Sequence, residues 1–187
     1  MRKNIGKRPL LFPEPVLIIG TYDKSGKANA MNAAWGGLSD TYEICICLSE
    51  EHKTVKNILL NKDFTVSVGT KDTVVQCDYV GMTSGNDDTD KLKKCGFHVT
   101  KSKKVNAPLI KELPFALECT LIRYDKKTGH LFGEIKDISV DDFVLKEGKI
   151  DISLLKPIIF NGETNTYHVI GKKVGNAFKD YKKIKTK

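Results

Sequence analysis

Apolar residues in this sequence come in short runs, each cut off by a turn signal. That rhythm constrains the chain more than any other feature, because it restricts it to a β-rich fold. Residues 16–22 read as a strand, and 23–27 (Asp-Lys-Ser-Gly-Lys) as a turn with Gly26 where a positive φ is needed. Residues 28–34 return as a second strand, which Gly36-Gly37 should break. Residues 44–48, apolar on both faces, read as a central strand, whereas 64–68 alternate and should keep one wetter face. Phe115, Leu117, Cys119 and Leu121 alternate in turn, and residues 125–129 lead the chain into 131–140. A last pair, 157–160 and 166–170, brackets Asn161-Gly162.

Helices are few. The segment 54–60 places Val55, Ile58 and Leu59 on one face, 73–79 forms a second helix, and 87–95 a third that Gly96 ends. The strand-helix alternation of a doubly wound sheet is not sustained. The expectation is therefore a mainly β fold: a closed or partly open β-barrel with short helices as insertions.

Several functional classes drop out at this point. No apolar run approaches the roughly 18 residues of a membrane span, and the basic first residues lack the apolar stretch of a signal peptide. Five cysteines, an odd number without repeated short spacing, read as reduced thiols in a cytoplasmic protein. Neither these nor His52, His98, His130 and His168 show a zinc spacing, so no metal is expected. The formal net charge is +8, but seven lysines against Asp180 put +6 of it on residues 172–187, leaving +2 for the rest. That is too little for a phosphate-tracking stripe, so nucleic acid is not an expected partner. Residues 1–178 read as one domain and 179–187 as a solvated lysine-rich tail.

Three segments could carry chemistry. Residues 29–37 join the only tryptophan, Trp35, to two asparagines, small side chains and two glycines. Such a stretch lets a flat ligand approach the backbone, although a tight bend with a core tryptophan has the same composition. Residues 48–57 lie where a buried strand ends and a helix begins; free amides, Lys53 and Thr54 suit a phosphate there, while Ser49 or Thr54 could instead be an ordinary helix cap. The loop 80–91, rich in glycine, hydroxyls and acids, could close over a ligand or be a polar connection.

The order of these blocks resembles the flavin reductase-like family of FMN-binding split barrels, and within it the flavoredoxin branch. The likeness runs from about residue 9 to 178. It rests on Asn-Ala-Met-Asn-Ala-Ala-Trp-Gly-Gly at 29–37, His-Lys-Thr-Val-Lys-Asn-Ile at 52–58, and Asp-Tyr-Val-Gly-Met-Thr-Ser-Gly at 78–85 with Asp90-Lys91. Val-Asn-Ala-Pro-Leu-Ile at 105–110 and Gly-His-Leu-Phe-Gly-Glu at 129–134 complete it. The resemblance implies a six-stranded Greek-key FMN-binding split barrel acting as a homodimer, with one FMN per subunit near the interface. It implies that Asn29, Met31, Asn32, Ala33, Ala34 and Trp35 line the ring and ribityl portions, and that Ser49, Lys53 and Thr54 fall in the phosphate segment. Lys53 stands where many relatives have an arginine, giving a point charge in place of a fork. Ser84, Gly85 and Lys91 belong to the loop that reaches the flavin, with His130 and Phe160 as further candidates.

The implied function is an oxidoreductase in which bound FMN passes electrons from NAD(P)H or a protein donor to an acceptor. No side chain need act as catalytic acid or base. The rival reading is a non-enzymatic FMN carrier between redox protein partners. No Gly-x-Gly-x-x-Gly fingerprint is present, so a nicotinamide would have to stack on the exposed flavin face.

Overall fold

The computed structural model describes residues 1–184. Those residues form fourteen strands, many of them short: β1 (Glu14–Pro15), β2 (Leu17–Tyr22), β3 (Ala28–Ala33), β4 (Gly36–Asp40), β5 (Glu43–Cys47), β6 (Asp63–Val68), β7 (Val99–Lys101), β8 (Pro108–Ile110), β9 (Phe115–Asp125), β10 (His130–Val140), β11 (Leu145–Lys146), β12 (Lys149–Ile150), β13 (Ile158–Asn161) and β14 (Thr166–Val169). Four short helices punctuate them: α1 (Lys53–Asn61), α2 (Val74–Met82), α3 (Lys91–Lys94) and α4 (Ile152–Leu155). The frame is a curled seven-stranded antiparallel sheet, in the order β3-β2-β6-β9-β10-β5-β4. A small sheet, β1-β13-β14, lies beside it.

Strand β2 organises the core because it is apolar on both faces. Leu17 and Ile19 point into the curl, where Ile44, Ile46, Phe64, Val66 and Leu131 meet Val55 and Ile58 of α1. Val16 and Ile18 point outward into a second cluster, where Cys77 and Val80 of α2, Leu92 of α3, Ile110 and Ile158 cover them. Burial of each such side chain contributes roughly 1.5–3 kcal/mol, and together they clamp α1, α2 and α3 around the β2–β3 hairpin.

The mainly β half-barrel agrees with expectation, and five details differ. The sheet has seven strands, not six, since Gly36 and Gly37 form β4 instead of a break; the β3 strand does end, but at Ala33. Strand β5 sits next to the edge, with Cys45 and Cys47 half-buried on its outer face. Strand β6, like β2, is buried on both faces, because its polar face lies under residues 102–108. The Thr65 hydroxyl donates to the Pro108 carbonyl at 2.7 Å, and neighbouring Asp63 accepts from the Asn106 amide at 2.7 Å. Hydroxyls of Ser102 and Ser139 likewise close on the buried Glu118 carboxylate of β9. The expected helix at 87–95 shrinks to α3, since Ser84, Asp87 and Asp88 turn the preceding chain with local hydrogen bonds. Gly96, at φ +79°, ends it as expected. Beyond β14 the described residues include a 3-10 turn at Asp180–Lys183; Lys185 and Lys187 of the tail lie outside the described residues. Among the described residues no helix is long and apolar enough to cross a membrane.

Candidate functional site

Helix α1 opens without a side-chain cap: His52 is its N-cap residue and its side chain accepts no backbone amide. Among the described residues the amides of Lys53, Thr54 and Val55 have no backbone partner, the first pairing being Lys56 N–H to the His52 carbonyl at 3.2 Å. An uncapped helix start collects donor hydrogens and the positive end of the helix dipole in one place. The Thr54 hydroxyl beside them accepts from the Asn29 amide at 2.8 Å, which frees its own hydrogen to donate elsewhere. The Lys53 ammonium lies 3.6 Å from the Asp23 carboxylate. Asp23 is held down to about pKa 2, chiefly by the Ser25 hydroxyl and also by its backbone bonds and Lys53, so it stays charged and shares the lysine.

Residues 83–85 close over this end. A Cβ on Gly85 would lie 2.1 Å from the Asn29 side-chain oxygen and 3.4 Å from Lys53 Cβ, so only glycine permits the approach. Two anchors hold the loop. Asn86 donates to the Glu51 carbonyl at 3.1 Å. From inside, the Lys91 Nζ donates to the carbonyls of Val80 and Thr83 at 3.0 and 2.7 Å. Lys91 is 2% exposed, and desolvation by burial lowers its pKa to about 8.

A cavity of about 210 Å³ results, gathering Asn29, Met31, Lys53, Thr54, Ser84 and Lys91 around its walls. Through Asn32, Gly81 and Met82 it adjoins a second cavity of about 370 Å³, walled by Ala33, Ala34, Phe160 and Tyr167. Asn32 donates to the Cys77 carbonyl at 3.2 Å, fixing the end of β3 against α2. The Tyr167 hydroxyl donates to Asp78 at 2.8 Å, and its ring tilts on Phe160 at 5.7 Å between centroids. Phe160 in turn borders a third space of about 300 Å³ against Trp35. The result is a groove with cationic and hydroxyl donors at one end and small or aromatic walls at the other. A larger concavity of about 920 Å³, between the β11–β12 hairpin and residues 170–175, holds none of the candidates.

A family model for the flavin reductase-like domain matches residues 9–162. The chain belongs to the flavin reductase-like family. Its structure superposes on the flavoredoxin of Desulfovibrio vulgaris (Miyazaki F) with a TM-score of 0.91 and 33% identity, over 96% of this chain and 98% of that one. A flavoredoxin from Methanosarcina acetivorans matches at 0.88 and 27%, over 99% and 100%. An FMN-binding domain of a flavin reductase-like enzyme from Shewanella baltica shares the fold, at 0.78 and 21%, over 87% and 89%.

Within this flavin reductase-like groove, twelve of the fourteen sequence-derived candidates line one of the adjoining spaces. Trp35 is 58% exposed, which removes the core-tryptophan alternative. Ser49 and His130 do not join them. Ser49 is exposed and its hydroxyl accepts from the Glu51 amide at 3.4 Å; His130 is exposed at the start of β10, paired with Cys47 of β5. Sequence reasoning missed Tyr167 and the counter-ion Asp23. The turn motif at 23–27 was visible, but nothing local shows that it folds back beside Lys53.

Proposed function

We propose that this flavin reductase-like chain holds one FMN per subunit in the groove between β3 and residues 83–85, and that it works as an oxidoreductase. On this reading electrons come from NADH, NADPH or a redox protein and pass through the flavin to an acceptor. The observation that supports it most strongly is the joining, in one groove, of unpaired helix-start amides and Lys53 at one end with Ala33, Ala34 and Phe160 at the other. The donor set suits a phosphate monoester: three amides, an ammonium and the Thr54 and Ser84 hydroxyls. The flat, small-residue floor suits a tricyclic ring.

FMN, when bound, supplies the two-electron redox chemistry. The protein's residues bind and orient. Lys53 neutralises phosphate charge and Thr54 donates a hydroxyl held in place by Asn29. Asn32, with its amide hydrogen on Cys77, keeps its oxygen for a ring N–H. The buried Lys91 ammonium places positive charge at the groove edge, where it favours the more negative, reduced state of a bound ring. No general acid or base is required.

The reading includes a homodimer, for which exposed Leu38 and Tyr42 beside the free edge of β4 offer apolar surface. Carriage of electrons between proteins, without nicotinamide, is the second reading; the open groove, with Met82 82% and Trp35 58% exposed, favours access by a protein partner. Absorbance of the full-length protein after incubation with FMN and desalting should show bound flavin. Anaerobic bleaching by NADH or NADPH supports the reductase, and bleaching only by a low-potential protein donor supports the carrier. Absence of retained flavin refutes both.

A further inference from the structure

Glu14 has no role in the flavin reading, yet it is one of three buried charged side chains among the described residues, with Lys91 and Glu118. It stands in β1 directly opposite Phe160 of β13, so both side chains leave the same face of the pair. It is only 5% exposed, and among the described residues its carboxylate has no hydrogen-bond or ion-pair partner. Fully sealed side-chain polar atoms in the described residues all have partners, so the oxygens of Glu14 must open on a space. That space is a cleft of two overlapping lobes, about 420 and 300 Å³, bounded by Leu10, Glu14, Trp35 and Phe160. Arg8 is the one cation along it, and its guanidinium is already 2.5 Å from Glu163.

A carboxylate in such a setting has lost most of its water without gaining a counter-charge. A positive group entering the cleft would meet it across low-dielectric walls, where attraction is stronger than in water. The indole of Trp35 and the ring of Phe160 add the electron-rich faces that favour cations over neutral rings. An anion would be repelled. We propose that this cleft is a binding subsite for single-ring organic cations, with Glu14 as counter-charge and Trp35 and Phe160 as walls. Because Phe160 borders both the cleft and the groove, the subsite lies beside the proposed flavin; its use in selecting a small reductant or acceptor rests on the preceding reading, whereas its existence does not.

Trp35, the sequence's sole tryptophan, reports occupancy directly. The full-length protein, without added FMN, is titrated with 1-methylnicotinamide (a cation), nicotinamide (neutral) and nicotinate (an anion). Saturable quenching by the cation is expected, with at least tenfold weaker binding of the neutral ring and none of the anion. Glu14→Gln should reduce cation affinity to that of the neutral ring and leave the latter unchanged. Equal affinities for cation and neutral ring, non-saturating quenching by all three, or indifference of cation binding to Glu14→Gln overturns the proposal. Should Glu14→Gln not fold, the charge series on the natural protein decides alone. A chain that retains no FMN but selects the cation refutes the flavin reading only, and the converse refutes the subsite only.

Discussion

The Asn29 side-chain amide donates to the Thr54 hydroxyl across 2.8 Å, in a place where both residues are buried. This bond joins the strand that floors the groove to the uncapped start of α1, so phosphate end and ring floor keep one spacing. Thr54→Val preserves shape and removes the acceptor, leaving a buried amide unpaired. Urea unfolding should show a loss of about 1–3 kcal/mol, and FMN titration a weaker complex. Thr54→Ser should restore both.

Gly85 is the contact on which closure of the 83–85 loop depends. Gly85→Ala drives a methyl group into the Asn29 carbonyl oxygen, 2.1 Å from the ideal Cβ position, so the loop must lift. The barrel core does not touch this point. Thermal unfolding should therefore change by no more than about 1–3 kcal/mol, while FMN dissociates at least tenfold faster in stopped-flow fluorescence. An unchanged off-rate would show that the loop does not cover the ligand.

Lys53 and Asp23, 3.6 Å apart, set the charge at the phosphate end. Lys53→Met should weaken FMN by about tenfold, equivalent to roughly 1.4 kcal/mol, and riboflavin less than twofold, since only FMN carries the phosphate. Asp23→Asn should tighten FMN at low salt by releasing the lysine from its counter-ion. Equal losses for FMN and riboflavin in fluorescence titration would remove Lys53 from the phosphate site.

Lys91 makes stability depend on pH in a known direction. Burial lowers its pKa from 10.5 to about 8 in the folded chain, so between those values the unfolded chain binds a proton that the folded chain does not. Stability from this group then rises with pH from about 8 toward 10.5, and below 8 its contribution is flat and lower. The Tm difference between the natural protein and Lys91→Met, measured from pH 7 to pH 10, cancels the other titrating groups. It should move in favour of the natural protein as pH increases, and a constant difference would contradict the assignment.

Much of this was legible in the one-dimensional pattern. The hairpin at 17–33, the helix at 53–61 with Val55 and Ile58 inward, and Gly96 as a helix stop follow from local periodicity and turn chemistry. The candidates at 29–35, 53–54 and 84–85 were visible as unusual compositions, and they do converge. Local pattern misjudged β5 and β6, because alternation records polarity and not what covers a face: Thr65 and Ser67 are polar and still buried, Thr65 bonded to the Pro108 carbonyl of the covering segment. The same limit hides the surroundings of His130, which are set by strand pairing far along the chain.

By itself the sequence determined the mainly β class, the turn positions and the residue types able to grip a phosphate and a flat ring, since these depend on neighbours within a few positions. Tertiary structure alone decided which of those residues share a wall, that Lys53 meets Asp23, that Lys91 is sealed beneath α2, and that Glu14 faces Phe160 without a partner. Those facts arise from contacts between segments as far apart as residues 14 and 160. Burial and charge pairing are properties of such contacts, and they come into being only when the sheet curls.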